Sequence, residues 1–128
     1  MYRFSLLPGE LAIVRLPPGA SVPAWALEPS AFASITRTGD ELSVVCAEAR
    51  VPPGVKAEPG WRAFKLHGPF PFAQVGVLVA FASPLASQGI SIFAVSTFDT
   101  DYVLVKADRV DRAIDALAAA GHTLVPAV

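Results

Sequence analysis

The sequence predicts an α+β fold whose second half is an antiparallel sheet carrying two helices on one face. Three observations point there. Residues 89–106 (GISIFAVSTFDTDYVLVK) read as two strands around a tight polar turn, which is a hairpin signal. Helical patterns flank that hairpin on both sides. Strand patterns at 61–67 and 122–125 enclose the whole, giving the order β-α-β-β-α-β. That order builds a four-stranded, ferredoxin-like plait.

Taken along the chain, residues 2–7 form a short strand, Pro8 and Gly9 turn, and 10–16 (ELAIVRL) form a better strand. Residues 17–20 are a loop. Ser21 is placed to N-cap a short helix through Leu27, with Pro23 in its first turn and Trp25 packing on a sheet. Residues 31–38 (AFASITRT) and 41–48 (ELSVVCAE) make a hairpin around Gly39 and Asp40, with Phe32, Leu42, Val44 and Cys46 at apolar positions. Residues 51–60 carry three prolines and two glycines. This reads as a surface loop and divides the chain into 1–60 and 61–128.

The second half opens with 61–67 (WRAFKLH), a strand with mixed faces. A rigid Gly68-Pro-Phe-Pro71 loop follows. A helix is expected from Phe72 or Ala73 to about Ser87. Val75, Leu78, Val79 and Ala82 fall at helix spacing, while Val77 and Phe81 fall on other faces, so it reads as buried on more than one side. Pro84 should bend its last turns, and Gly89 stops it. The hairpin strands cover 90–95 and 102–105. Asp108 is expected to cap a helix over 109–120, where Val110, Ala113, Ile114 and Leu117 form an apolar stripe and Gly121 ends it. The first half is a weaker copy of this order. Residues 34–38 (SITRT) before 41–45 match 96–100 (STFDT) before 101–105, strand for strand and turn for turn, so the chain reads as two tandem repeats with the first incomplete. Its missing fourth strand comes either from 2–7 or from sharing 61–67.

Hydrophobic residues make up 53% of the chain and charged residues 16%. Such a chain builds a large core and has few charges to coat a monomer, which points to a homo-oligomer, a dimer first. The net charge is −1 with no basic run, which argues against nucleic acid or an anionic membrane as partner. Residues 66–98 contain no charged side chain. Pro71, Gln74, Pro84, Gln88 and Gly89 interrupt them, however, and the clean apolar part, 75–82, is too short to span a bilayer. Pro8, Gly9 and Glu10 break the N-terminus before any signal-peptide core. The single cysteine, Cys46, suits a reducing compartment and hence the cytoplasm, and is read as a core residue.

No catalytic set emerges. His67, His122 and Cys46 lack metal-ligand spacing, and the histidines read as solvated or capping. Ser96 is not in a nucleophile elbow, and no glycine-rich phosphate loop occurs. No cofactor or metal is expected. The one chemically dense feature is the turn at 96–101, where three hydroxyls and two carboxylates surround Phe98. A turn needs fewer polar residues than this, and the surplus forms a ledge suited to a small zwitterion.

These motifs carry a resemblance. The hairpin 89–105 with its flanking helices, the TRTGDELS hairpin, the Trp61 strand and the ASPLA helix (82–86) resemble ACT domains, the small regulatory amino-acid-binding modules. They are similar in particular to those of aspartate kinases and of the cytosolic arginine sensors of animals. The resemblance implies a non-enzymatic module that binds an amino acid at a repeat or subunit interface. It implies that Phe72, Ala73, Gln74 and Val75 offer N–H groups at a helix N-terminus to a carboxylate. Gly89 and Ile90 then line the site through backbone groups, and Thr97, Phe98, Asp99 and Thr100 face the ammonium or side chain. The chain departs from the animal sensors at Asp99, where they carry a different polar residue. The competing expectation is an interaction module whose sheet serves assembly and whose ligand site is vestigial.

Overall fold

The computed structural model describes residues 1–126. Its strands are β1 (Arg3–Leu6), β2 (Leu11–Leu16), β3 (Ser34–Arg37), β4 (Leu42–Ala47), β5 (Ala57–Leu66), β6 (Phe93–Ser96), β7 (Asp101–Lys106) and β8 (Thr123–Leu124). Its helices are α1 (Ala24–Leu27), α2 (Val77–Ser87) and α3 (Val110–Ala119), with short 3₁₀ turns at Glu48–Arg50 and Ala107–Arg109. Two compact units result. One is Pro8–Trp61; the other joins Met1–Leu7 to the chain from Arg62 onward. The opening strand thus belongs with the second half of the sequence, because Phe4 pairs with Leu66 and both are fully buried.

In the Pro8–Trp61 unit, β4 pairs antiparallel with β2 and β3, and β2 pairs with the start of β5. Neither expected source for a fourth strand serves as named: β2 pairs with 57–61, the start of β5, and only Trp61 of the expected 61–67 takes part. β5 begins at Ala57, so 51–60 is only partly loop. Pro59 and Gly60 lie inside the strand where the pairing slips between Leu11 and Ile13. Proline cannot donate to a ladder, and Gly60 takes a φ of +79°, so an irregularity is the place for both. Ala12, Val14, Ala26, Leu42, Val44 and Cys46 form the core. The cap expected at Ser21 is not made: α1 is a single turn that starts after Pro23, with no side-chain cap.

In the other unit the strand order is β6-β7-β5-β1-β8. The expected plait therefore has five strands, with β1 inserted between β5 and β8. Strand alternation places Phe4, Phe64, Leu66, Val103 and Val105 in one core with Val77, Phe81 and Leu85 of α2 and Val110, Ala113 and Leu117 of α3. Burial of each large side chain is worth about 1.5–3 kcal/mol relative to exposure. The α3 stripe forms as expected. Asp108, however, makes no cap bond and sits in the 3₁₀ turn before Val110.

The larger correction concerns α2. It starts at Val77, not at Phe72 or Ala73, after Gly76 in the left-handed region (φ +84°). It buries one face, through Val77, Phe81 and Leu85, and leaves Val79 67% exposed. Gly89 does stop it, at φ +69°, with its N–H on the Ala86 carbonyl. β6 begins only at Phe93, and Ile90 lies in the core.

His122 is neither solvated nor a simple cap. It is 4% exposed, stacks on Tyr2, and its Nδ1 accepts the Tyr2 N–H at 3.2 Å. Nε2 therefore carries the proton and donates to the Ala80 carbonyl at 3.0 Å. That carbonyl is the one Pro84 strips of its usual helical partner four residues on. The imidazole replaces the bond the proline removes, as buried carbonyls require.

Candidate functional site

The hairpin between β6 and β7 ends in a turn built from its own polar side chains. Ser96 and Asp101 are the last paired residues, and the Ser96 hydroxyl donates to the Asp101 carboxylate at 2.5 Å. Across the turn, the Thr97 N–H donates to the Thr100 carbonyl at 2.8 Å, and the Thr97 hydroxyl reaches the same oxygen at 3.1 Å.

Two further bonds fasten this tip to the loop after β5. The Thr100 hydroxyl, in a residue only 7% exposed, donates to the Leu66 carbonyl at 2.7 Å. The Phe70 N–H donates to the Asp99 carbonyl at 2.8 Å. Loop and tip approach so closely at Gly68 that a Cβ there would lie 2.8 Å from the Asp99 oxygen. Glycine is required at that contact for want of space.

The fastened tip and the chain leading into α2 enclose a cleft of about 230 Å³. One wall is Phe70, Pro71, Phe72, Gln74 and Val77; the other runs from Ser96 to Asp101. Phe72 and Phe98 meet edge-to-face across it, with ring centroids 4.9 Å apart, although each is more than three-quarters exposed. The lining holds two carboxylates, Asp99 and Asp101, and no basic side chain.

The structure thus brings together Phe72, Gln74, Thr97, Phe98, Asp99 and Thr100 from the predicted set. Ala73 and Val75 lie on the exposed segment before α2 and do not line the cleft; neither do Gly89 and Ile90, which close the far end of that helix. The unpaired amides of the helix start belong to Val77, Leu78 and Val79, since the first turn of a helix leaves its N–H groups without intrahelical partners. The Gln74 N–H is already bound to the Pro71 carbonyl at 3.0 Å. Ser96 and Asp101, part of the expected ledge but not among the assigned site residues, also line the cleft, and sequence reading missed Phe70, Pro71 and Val77. Gly76 was the available signal: a glycine just before an apolar run marks a later helix start.

Other reactive groups lie elsewhere. Burial pushes the Cys46 thiol up, against a smaller opposing pull from Arg50, as for an inert core cysteine. Among the described residues, no three His, Cys, Asp or Glu side chains cluster to hold a metal. No helix among them is long and apolar enough to cross a membrane.

Comparison with known proteins adds the following. A family model described as ACT domain matches residues 56–119, and a separate N-terminal-domain model matches residues 9–54. The mouse protein named cytosolic arginine sensor for mTORC1 subunit 1 is 38% identical over 58 residues, covering 44% of this chain and 18% of that one. The chain thus matches less than a fifth of the sensor's length. A crystal structure of an Agobacterium tumefaciens protein is 44% identical over 99% of this chain and 94% of that chain, with a TM-score of 0.92. The regulatory subunit of Thermus thermophilus aspartate kinase shares the fold, with a TM-score of 0.61 at 12% identity over 88% of this chain and 91% of that chain.

Proposed function

This chain belongs to the ACT domain family, and on that premise we propose that it is a non-catalytic regulatory module binding an amino acid in the cleft between residues 70–77 and the 96–101 tip. The observation that carries this reading is that one small cleft offers opposite chemistry on its two walls. The Val77 end of α2 presents unpaired amides and the positive end of a helix, which suit a carboxylate. Asp99 on the facing wall suits an α-ammonium. Phe72 and Phe98 cover the ligand's side chain.

The site is completed by a second copy. Phe72 and Phe98 are exposed in the cleft, and Val75 before α2 and Val79 on it are exposed as well, apolar surface of the kind a partner usually covers. Ligand bound there acts by favouring one arrangement of the two copies over another. Action in the cytosol, and descent of the two halves from one repeat, belong to the same proposal. They rest on the lone buried cysteine and on the matched hairpin turns.

A thermal-shift screen of the twenty amino acids tests it, with arginine first because of the matched sensor's name. Ligand at a hundred times its Kd adds about 2.7 kcal/mol of stability, a shift of several degrees for a domain of this size. A folded protein unmoved by every amino acid at millimolar concentration contradicts the proposal. The exposed aromatic pair favours one alternative, an interaction module with a vestigial site. Thr97→Ala and Asp99→Ala that leave assembly unchanged, with no ligand to lose, would support it.

A further inference from the structure

The face of the β6-β7-β5-β1-β8 sheet turned away from α2 and α3 carries a second cleft, of about 300 Å³. Its character is opposite to the first. Lys65, His67 and Tyr102 line it, with the Gly68 backbone at its floor and Asp99 as its single carboxylate.

The arrangement follows from strand parity. Ser5 pairs with Lys65, and the His67 N–H donates to the Arg3 carbonyl. Residues two apart share a face, so Arg3, Ser5, Lys65 and His67 all project to this side. Nε2 of His67 lies 3.0 Å from the Ser5 hydroxyl. Among the described residues, neither Arg3 nor Lys65 enters an ion pair. Burial lowers the His67 pKa first, and Lys65 and Arg3 lower it further. Lys65 and Arg3 therefore stand as two cations in each other's field, with the His67 imidazole beside them and Asp99 the one carboxylate of the lining. Like charges held together without a counter-charge cost free energy, and an anion between them removes that cost.

We propose that this cleft is a binding site for a small oxyanion, of phosphate or carboxylate chemistry, held between the Lys65 ammonium and the His67 imidazole. The Arg3 field adds to its hold. Thr97, Asp99 and Thr100 line both clefts, so the hairpin tip is the wall between them. The proposal does not depend on the amino-acid reading, and its test contains no amino acid.

The test is a titration of the full chain followed by NMR at the His67 ring protons, with inorganic phosphate, sulfate and succinate as separate probes and chloride at matched ionic strength as control. The expected result is a saturable shift with at least one oxyanion and none with chloride; the better of phosphate and succinate identifies the chemistry. Lys65→Ala should weaken binding at least tenfold, while Lys65→Arg keeps most of it. Asp99→Asn should tighten binding, an outcome that a purely structural role does not produce. Sulfate keeps its charge between pH 8 and 5, so its affinity should rise as pH falls below 6.5 and His67, which faces Arg3, Ser5, Lys65, Asp99 and Tyr102, gains its proton. Shifts that follow ionic strength alike for chloride and oxyanions overturn the proposal. So does a folded Lys65→Ala protein that binds as tightly as its parent.

Discussion

The two hairpin tips of this molecule, 38–41 (TGDE) and 97–100 (TFDT), share a threonine and an aspartate at matching positions and end up in different situations. At the first, the Thr38 N–H donates to the Glu41 carbonyl at 2.9 Å, and the Thr38 hydroxyl accepts the N–H groups of Asp40 and Glu41. At the second, the Thr97 N–H donates to the Thr100 carbonyl at 2.8 Å. The first tip is exposed over 37–40 and meets other segments through flexible arginines: Arg15 donates to the Asp40 carbonyl at 3.0 Å, and Arg37 to the Pro18 and Ala20 carbonyls. The second is tied to the loop after β5 by the Thr100 hydroxyl and the Asp99 carbonyl. Turn chemistry alone therefore does not make a site. A cleft arises where the turn is fastened to a second segment that holds a wall in place.

Breaking the fastening should separate the tips most clearly at the glycines. In Gly68→Ala the new methyl meets the Asp99 oxygen and the Phe70 amide, and overpacking of this kind costs about 1–3 kcal/mol. In Gly39→Ala the methyl meets nothing within 4 Å, and the change stays within about 0.5 kcal/mol, as for surface sites generally. Urea unfolding of the two variants reads the difference, and equal midpoints would erase the contrast. A comparable but smaller gap is expected between Thr100→Val and Thr38→Val. The first orphans the carbonyl of fully buried Leu66 at a cost of about 1–3 kcal/mol. The second exposes its former partners to water and costs less than about 1 kcal/mol.

The unit that holds the cleft also contains the Pro84–His122 compensation, which sharpens the same lesson. His122→Ala should destabilise the protein by about 1–3 kcal/mol by orphaning the Ala80 carbonyl. In a Pro84→Ala background that carbonyl regains its helical partner, and part of the loss should disappear. A double-mutant cycle measures the coupling; strict additivity would mean that the imidazole and the proline are independent.

The smallest effect concerns pH. The His67 pKa is lowered by burial, then by Lys65 and Arg3, from an ordinary value of 6.5. A depressed folded pKa means that the unfolded chain binds the proton first. The contribution is thus fully present above pH 6.5 and is lost as pH falls below it. Unfolding midpoints compared across pH 5 to 8 for parent and His67→Gln should converge at the acid end.

Much of this was legible before any coordinates. The α3 stripe of Val110, Ala113 and Leu117 carries a clear period, so its face could be read directly, whereas 102–105 is apolar throughout and announces a strand without its faces. The start of α2 could not be read that way. Residues 75–82 are apolar at almost every position, so periodicity carries no phase there, and only Gly76 marks the boundary. The insertion of β1 beside β5 is a long-range pairing with no local sign. The tip was legible because its polar residues are contiguous. Phe70 and Val77 were not, because they join the site through tertiary approach alone.

The central claim is that the fastened tip, and not its twin, holds an amino acid. Calorimetric titration of parent, Asp99→Asn and Asp40→Asn with the amino acids that pass the thermal screen tests it most directly. Saturable binding that falls at least tenfold in Asp99→Asn and is unchanged in Asp40→Asn is the predicted result. Binding that ignores Asp99, or that responds equally to both substitutions, would contradict it.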